Sequence, residues 1–227
     1  MTSLGDILGG IARGEYPPSD MGVTHVPQPS KRDAAVVSTT AHVIVAADVP
    51  RDWVAERLPA GDPGAAFNPP FLGALAEATG RRVNNIDALL IGPARCGSRS
   101  APSRSGQSAL SLSVVHDLDH PRVRRAARYR DCVTVFTCEG GVIVIGRGLA
   151  DRWEVGIEVD PGYRGKGLGR AMAEAAAHLT PDGGPMWAQV APGNAASLRA
   201  FLAAGYRPVG QEALLVRHAG EAEESSD

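Results

Sequence analysis

The segment from Val159 to Arg170 reads Val-Asp-Pro-Gly-Tyr-Arg-Gly-Lys-Gly-Leu-Gly-Arg, and its residue types point to anion chemistry. Gly165, Gly167 and Gly169 recur at every second position, removing side chains where a backbone must come close to a ligand. An alternating apolar run precedes the glycines and an Ala-rich run follows, so they sit where a strand turns into a helix. The first amides of such a helix have no intrahelical acceptor and carry the positive end of its dipole; phosphate is their usual partner. Arg164, Lys166 and Arg170 add positive charge around the turn. A Walker loop needs Ser or Thr after Gly-Lys, and Lys166 is followed by Gly167. A dinucleotide fingerprint counted from Gly165 needs Gly where Arg170 stands. Both nucleotide readings therefore fail. The bland alternative is a Gly-rich turn with no ligand, which the surrounding charge disfavours.

Two separated motifs carry a family resemblance. Val159-Asp160-Pro161 followed by Arg164-x-x-Gly167-x-Gly169 resembles motif A of the GNAT N-acetyltransferase superfamily. The run Asn194-Ala195-Ala196-Ser197-Leu198-Arg199-Ala200-Phe201, closed by Gly205-Tyr206, resembles motif B of the same superfamily. The resemblance covers roughly the last half of the chain. It implies an α/β (α+β) fold, a mixed, mostly antiparallel sheet flanked by helices. It also implies acetyl-CoA as co-substrate. Arg164, Gly165, Lys166, Gly167, Leu168, Gly169 and Arg170 would then hold the pyrophosphate, and Ile157 and Val159 would offer backbone groups to the pantetheine arm. Asn194, Ser197 and Phe201 would complete the cofactor contacts. The implied activity is acyl transfer from coenzyme A to an amine of an unidentified small molecule or peptide.

Acetyl transfer to an amine needs a base for the ammonium, a polarised thioester carbonyl and a proton for the leaving thiolate. The superfamily's usual acid is a Tyr seven residues after the motif B Asn; here that position is Phe201. A base position on the preceding strand is Gln189. Glu154 and Glu158 remain, on one face of the strand that leads to the loop, and either is the candidate base. The alternative for both is an exposed position or an ion pair with Arg124 or Arg128. Water or Tyr206 would protonate the thiolate; catalysis by proximity alone is a further option. Loss of the usual acid also admits a second function class, a non-catalytic acyl-CoA-binding sensor.

The elements that must position these groups follow from periodicity. Trp153 to Val159 alternates apolar and polar residues and reads as a strand. Around it the sequence predicts a strand over Leu110 to Val115, an Arg-rich helix over Pro121 to Arg130, and a hairpin at Gly140-Gly141. A helix over Gly167 to Leu179, a strand over Met186 to Val190 and a helix over Asn194 to Ala204 follow. Two short strands, Pro208 to Gln211 and Ala213 to Val216, end the pattern. Asp119-His120 reads as turn and N-cap. The N-terminal half predicts a helix over Leu4 to Arg13 and one bent strand or two strands over Ala34 to Val49. It continues with a helix N-capped by Asp52, a helix over Phe71 to Thr79 closed by Gly80, a turn at Asn84-Asn85 and a strand over Ile86 to Ile91.

The resulting division is an arm over 1–31, an α/β subdomain over 32–96, a linker over 97–108, the acetyltransferase domain over 109–218 and an acidic tail over 219–227. The N-terminal extension, which lacks Arg-x-x-Gly-x-Gly, reads as capping the acceptor cleft, completing the sheet, or a degenerate second unit of the same kind. With 227 residues and a net charge of −2, the chain is long enough for a real core and lacks the basic balance of a nucleic-acid binder. The arginines of Pro121 to Arg130 read as a solvated face. No apolar run is long enough to span a bilayer, and no secretory signal is evident, so a cytoplasmic setting is expected. Cys96, Cys132 and Cys138 do not form a disulfide framework; Cys132 and Cys138 read as small buried hydrophobes. No metal-ligand spacing is present, and a homodimer is left open.

Overall fold

The computed structural model describes residues 2–93, 110–116 and 119–218. The expected linker, Cys96 and the acidic tail lie outside the described residues. In chain order the elements are α1 (Leu4–Arg13), β1 (Val23–Val26), β2 (Asp33–Thr39), β3 (His42–Ala46), α2 (Arg51–Arg57), α3 (Pro69–Thr79) and β4 (Arg81–Ile91). They continue as β5 (Ser113–Val115), α4 (Pro121–Tyr129), β6 (Asp131–Cys138), β7 (Gly141–Arg147), β8 (Trp153–Val159), α5 (Leu168–Ala176), β9 (Met186–Val190), α6 (Ala195–Ala203) and β10 (Arg207–Arg217). The architecture is mixed α/β and mostly antiparallel; β1 with β3 and β8 with β9 are parallel.

The described residues fall into two compact units, and the division differs from a cut at the linker. The first takes the chain up to Leu89 together with Gln189–Gly193 and the residues from Val209 on. The second takes Leu90–Ala188 and Asn194–Pro208.

In the first unit the strand order is β1-β3-β2-β10-β4. The supposed arm therefore contributes both a capped helix and a strand. Ser3 and Asp6 form a reciprocal capping box at the start of α1, and β1 pairs with β3 from Val23↔Val43 to Val26↔Ala46. The final strand belongs here too: Ala213 to Val216 pair with Val36 to Asp33 of β2. Two strands were expected at the C-terminus, and one continuous strand is present. Glu212, where the break was expected, pairs with Val37 in an unbroken register, and at Gly210 a Cβ would stand 2.0 Å from the Ser38 carbonyl oxygen. The glycine lets β2 come close. The expected turn at Asn84-Asn85 is likewise absent, because β4 runs through it with the Asn85 amide donating to Asp87 at 2.6 Å. Asp52 lies in the first turn of α2, and the N-cap is Pro50. The core joins Val36, Val45, Val54, Phe71, Leu75 and Leu215, with Trp53 and Phe71 rings 6.0 Å apart. A polar tie fixes the edge: His42 lies 2.8 Å from the Thr24 hydroxyl and 2.7 Å from the Asp20 carboxylate.

The second unit orders its strands β9-β8-β7-β6-β5. His120 caps α4 as expected, with Nδ1 accepting from the Arg122 amide at 3.1 Å. The β6–β7 register shifts between Asp131 and Thr134, with Cys132 at φ +51° in the bulge. Cys132 is consequently exposed and Cys138 half-buried, so neither is the fully buried hydrophobe expected from the sequence. Among the described residues no helix is long and apolar enough to cross a membrane.

Candidate functional site

β8 is central to the site. Along one edge it pairs with β7 through seven registers, Gly141↔Val159 to Arg147↔Trp153. Along the other it pairs with β9 at only Trp153↔Met186 and Glu154↔Trp187. Five residues, Val155 to Val159, continue beyond the last paired register, so one edge of β8 can offer ladder groups to an amide-bearing ligand. Ile157 and Val159 lie in this stretch and are half-buried.

The loop leaves the strand through a single 3-10 turn at Pro161–Tyr163 and enters α5 at Gly167. Gly165 and Gly167 adopt φ +73° and +85°, a region in which a Cβ is penalised. A Cβ at either would meet nothing within 4 Å, so both face open space. Gly169 is different. A methyl there would touch Val159 and Ala200 at ordinary distances of 3.6 and 3.7 Å, so this glycine lies between strand and helix and does not mark close ligand approach. Gly167 caps α5 without a side-chain hydrogen bond. The amides of Gly165, Lys166, Gly167, Leu168, Gly169 and Arg170 have no acceptor among the described residues. Consecutive unpaired amides at a helix start suit a diphosphate in number, direction and sign.

The cations border this cradle. Arg164 Nε donates to the Val159 carbonyl at 2.9 Å, and Lys166 Nζ to the Gly162 carbonyl at 2.8 Å. Neither has a carboxylate partner among the described residues. Arg170 is paired one turn along with Glu174 at 2.8 Å. In α6 the Asn194 side chain caps the helix by accepting from the Ser197 amide at 3.1 Å. Phe201 is 6% exposed and packs edge-on against Tyr206, centroids 4.9 Å apart, so its ring is part of the core.

Tyr206 is a buried side chain, 2% exposed. Its ring lies against Gly92, whose amide donates to the Met186 carbonyl at 2.7 Å. Met186 pairs with Trp153 at the start of β8. Burial also pushes the Tyr206 hydroxyl well above the ordinary tyrosine value of 10.

The two glutamates share a face of β8 but differ in environment. Glu154 is 4% exposed. Its Oε1 accepts from Arg152 Nε at 2.9 Å and the Leu149 amide at 3.2 Å, and its Oε2 accepts from Arg130 Nε at 3.1 Å. Gly148 makes room for it, since a Cβ there would stand 2.2 Å from the carboxylate carbon. Both oxygens are engaged by donors, and the carboxylate is held between two guanidinium groups inside the protein. Glu158 is half-exposed, and only its Oε2 is held, by Arg122 Nε at 3.3 Å. The ion partners thus differ from those expected: Arg130, Arg152 and Arg122 take the place of Arg124 and Arg128, and Arg124 instead binds Asp119. Gln189 donates to Glu212 at 3.2 Å within the first unit. Among the described residues no group of three or more His, Cys, Asp or Glu could hold a metal ion.

Comparison with known proteins bears on the same region. Residues 111–206 match the model of the acetyltransferase (GNAT) family. No curated protein matches the chain. Among solved structures, a putative GNAT-family acetyltransferase from Novosphingobium aromaticivorans is 19% identical, with a TM-score of 0.38 over 62% of this chain and 69% of that one. A GCN5-related N-acetyltransferase from Kribbella flavida is 16% identical, with a TM-score of 0.40 over 67% of this chain and 66% of that one. A tandem GNAT protein from the clavulanic acid biosynthesis pathway is 18% identical, with a TM-score of 0.38 over 86% of this chain and 66% of that one. The chain thus spans about two thirds of the length of these structural relatives. The C-terminal region of this chain, residues 111–206, belongs to the acetyltransferase (GNAT) family.

Proposed function

We propose that this protein is an acetyl-CoA-dependent N-acetyltransferase acting on a primary amine. The observation that carries the reading is the run of six unpaired amides from Gly165 to Arg170, flanked by Arg164 and Lys166. A diphosphate fits that cradle, and the pantetheine amides match the free edge of β8 beyond Glu154. Asn194 and Ser197 enter the reading as the start of α6, whose cap fixes that end of the helix.

Glu158 is the proposed general base. Its exposed carboxylate has one oxygen without a partner among the described residues, whereas both oxygens of Glu154 are taken. The acceptor ammonium gives its proton to Glu158. The neutral amine then attacks the thioester carbonyl and a C–N bond forms; the attacking nitrogen gives its second proton to water, the C–S bond breaks, and the coenzyme A thiolate takes a proton from water. Orientation of amine against thioester supplies much of the remaining acceleration. Free Cys132 and Cys138 are consistent with a reducing, cytoplasmic setting.

The assay is steady-state kinetics with coenzyme A release as readout. Replacing a general base typically costs about 10²–10⁴-fold in rate. Glu158→Gln is expected to lose kcat on that scale with acetyl-CoA affinity retained; an unchanged kcat removes Glu158 from the role. A thermal shift with acetyl-CoA but not with ATP or NAD is expected, and its absence would remove the donor assignment. A second reading, an acyl-CoA sensor without turnover, is favoured by the apolar Phe201 at the usual acid position. Tight acetyl-CoA binding with no coenzyme A release across amines, peptides and polyamines would select it.

A further inference from the structure

The anion-binding loop is held from below by a contact that neither motif requires. Tyr163 ends the 3-10 turn, and its amide donates to the Asp160 carbonyl at 2.9 Å. The Asp160 amide in turn donates to the Gly140 carbonyl at 2.9 Å, at the tip of the β6–β7 hairpin. The Tyr163 ring lies over that tip. A Cβ on Gly140 would be 2.2 Å from the ring Cγ and 2.5 Å from each of Cδ1 and Cδ2, so only a glycine admits the ring. Gly140 also has φ +78°, a second reason for its type. At its far end the Tyr163 hydroxyl donates to Glu139 Oε1 at 2.9 Å. The Lys166 ammonium lies 5.8 Å from the ring centroid. Hydrogen bonding to Glu139 raises the Tyr163 hydroxyl above its ordinary value of 10, so it remains a donor at neutral pH.

We propose that Tyr163 is a positioning residue, clamping the loop to Glu139 and Gly140 of the hairpin so that the amides of Gly165 to Arg170 are aligned before the cofactor arrives. The affinity part of this proposal rests on the donor reading above; the clamp itself does not. A loop already in its bound shape forgoes the ordering cost that a loose one would meet on binding. The clamp therefore acts on acetyl-CoA affinity, and leaves kcat at saturating acetyl-CoA unchanged.

The test uses the full chain as wild type, Tyr163→Ala, Glu139→Ala and Glu139→Gln. Hydrogen exchange of the hydrogen-bonded amides at either end of the loop, Asp160, Tyr163 and Ala171, is measured without ligand, and the acetyl-CoA dissociation constant by calorimetry. Losing preorganisation of a short loop is expected to speed exchange and weaken binding roughly tenfold in Tyr163→Ala, and roughly threefold in Glu139→Ala. Glu139→Gln should stay near wild type in both, because the amide oxygen still accepts the tyrosine hydrogen. Unchanged exchange in Tyr163→Ala overturns the clamp. Faster exchange with unchanged affinity overturns its coupling to the cofactor. A wild-type chain that does not bind acetyl-CoA overturns the donor reading and the affinity claim together, while the exchange arm still decides the clamp.

Discussion

Replacing Glu154 by Gln separates structural from chemical carboxylates on β8. The carboxylate is 4% exposed and sits between the Arg130 and Arg152 guanidinium groups, whose side chains are themselves 14% and 4% exposed. Glutamine keeps the shape but removes the charge, and it points an NH2 group at one of two donors. The result is two buried guanidinium groups with half their partner lost. Breaking one side of a buried ion cluster typically costs about 3–5 kcal/mol, because the remaining charge stays desolvated. For a chain of this length that corresponds to a drop in Tm of about 10 °C. Urea unfolding followed by tryptophan fluorescence suits the purpose, since Trp153 is adjacent and Trp187 lies beneath the Arg152 guanidinium, 5.3 Å from it. Glu158→Gln, half-exposed with one long ion pair, should shift the midpoint little, as surface pairs contribute about 0–1 kcal/mol. A Glu154→Gln protein of wild-type stability with kcat reduced a hundredfold or more would refute the assignment, and would move the base from Glu158 to Glu154.

Other consequences are open to measurement. Gly167→Asp places a carboxylate at the mouth of the amide cradle, in a position where a Cβ meets nothing within 4 Å. Acetyl-CoA binding should be lost by calorimetry while the circular dichroism spectrum is kept, with only about 1 kcal/mol of backbone strain at φ +85°. Asp182 is held below its ordinary value of 3.8 by the Gly184 amide first, and by Trp153 Nε1 and Arg147. Its folded value lies below its unfolded one, so its stabilisation is complete above about pH 4 and is lost as pH falls through the lower folded value. Acid unfolding of Asp182→Asn should accordingly show a weaker dependence on pH below 4 than wild type. An identical acid limb in the two proteins would show that Asp182 is not a linked group.

The loop was legible from its letters. Gly165 and Gly167 need positive φ, Arg164 and Lys166 bring charge, and the change from two-residue to helical periodicity places them at a helix start. These are local properties of a few consecutive residues. So were α4 with its His120 cap, the hairpin at Gly140, and the alternation of β8, each readable because its cause lies within a few residues. What failed shares the opposite property. Whether Glu154 or Glu158 is free depends on Arg130 and Arg122, which are 24 and 36 residues away and come near only when α4 packs over β8. The burial of Tyr206 against Gly92 is likewise a tertiary contact that no spacing along the chain encodes. The continuity of β10 through Glu212 and its place beside β2 come from pairing with residues far away in the chain, with Gly210 allowing the close approach to Ser38. The sequence by itself determined where the chain turns from strand into helix through positive-φ glycines and open helix-start amides, because both are local physics. Only the tertiary structure decided which carboxylate faces solvent and which residues share a unit, because burial and ion pairing arise between segments distant in sequence.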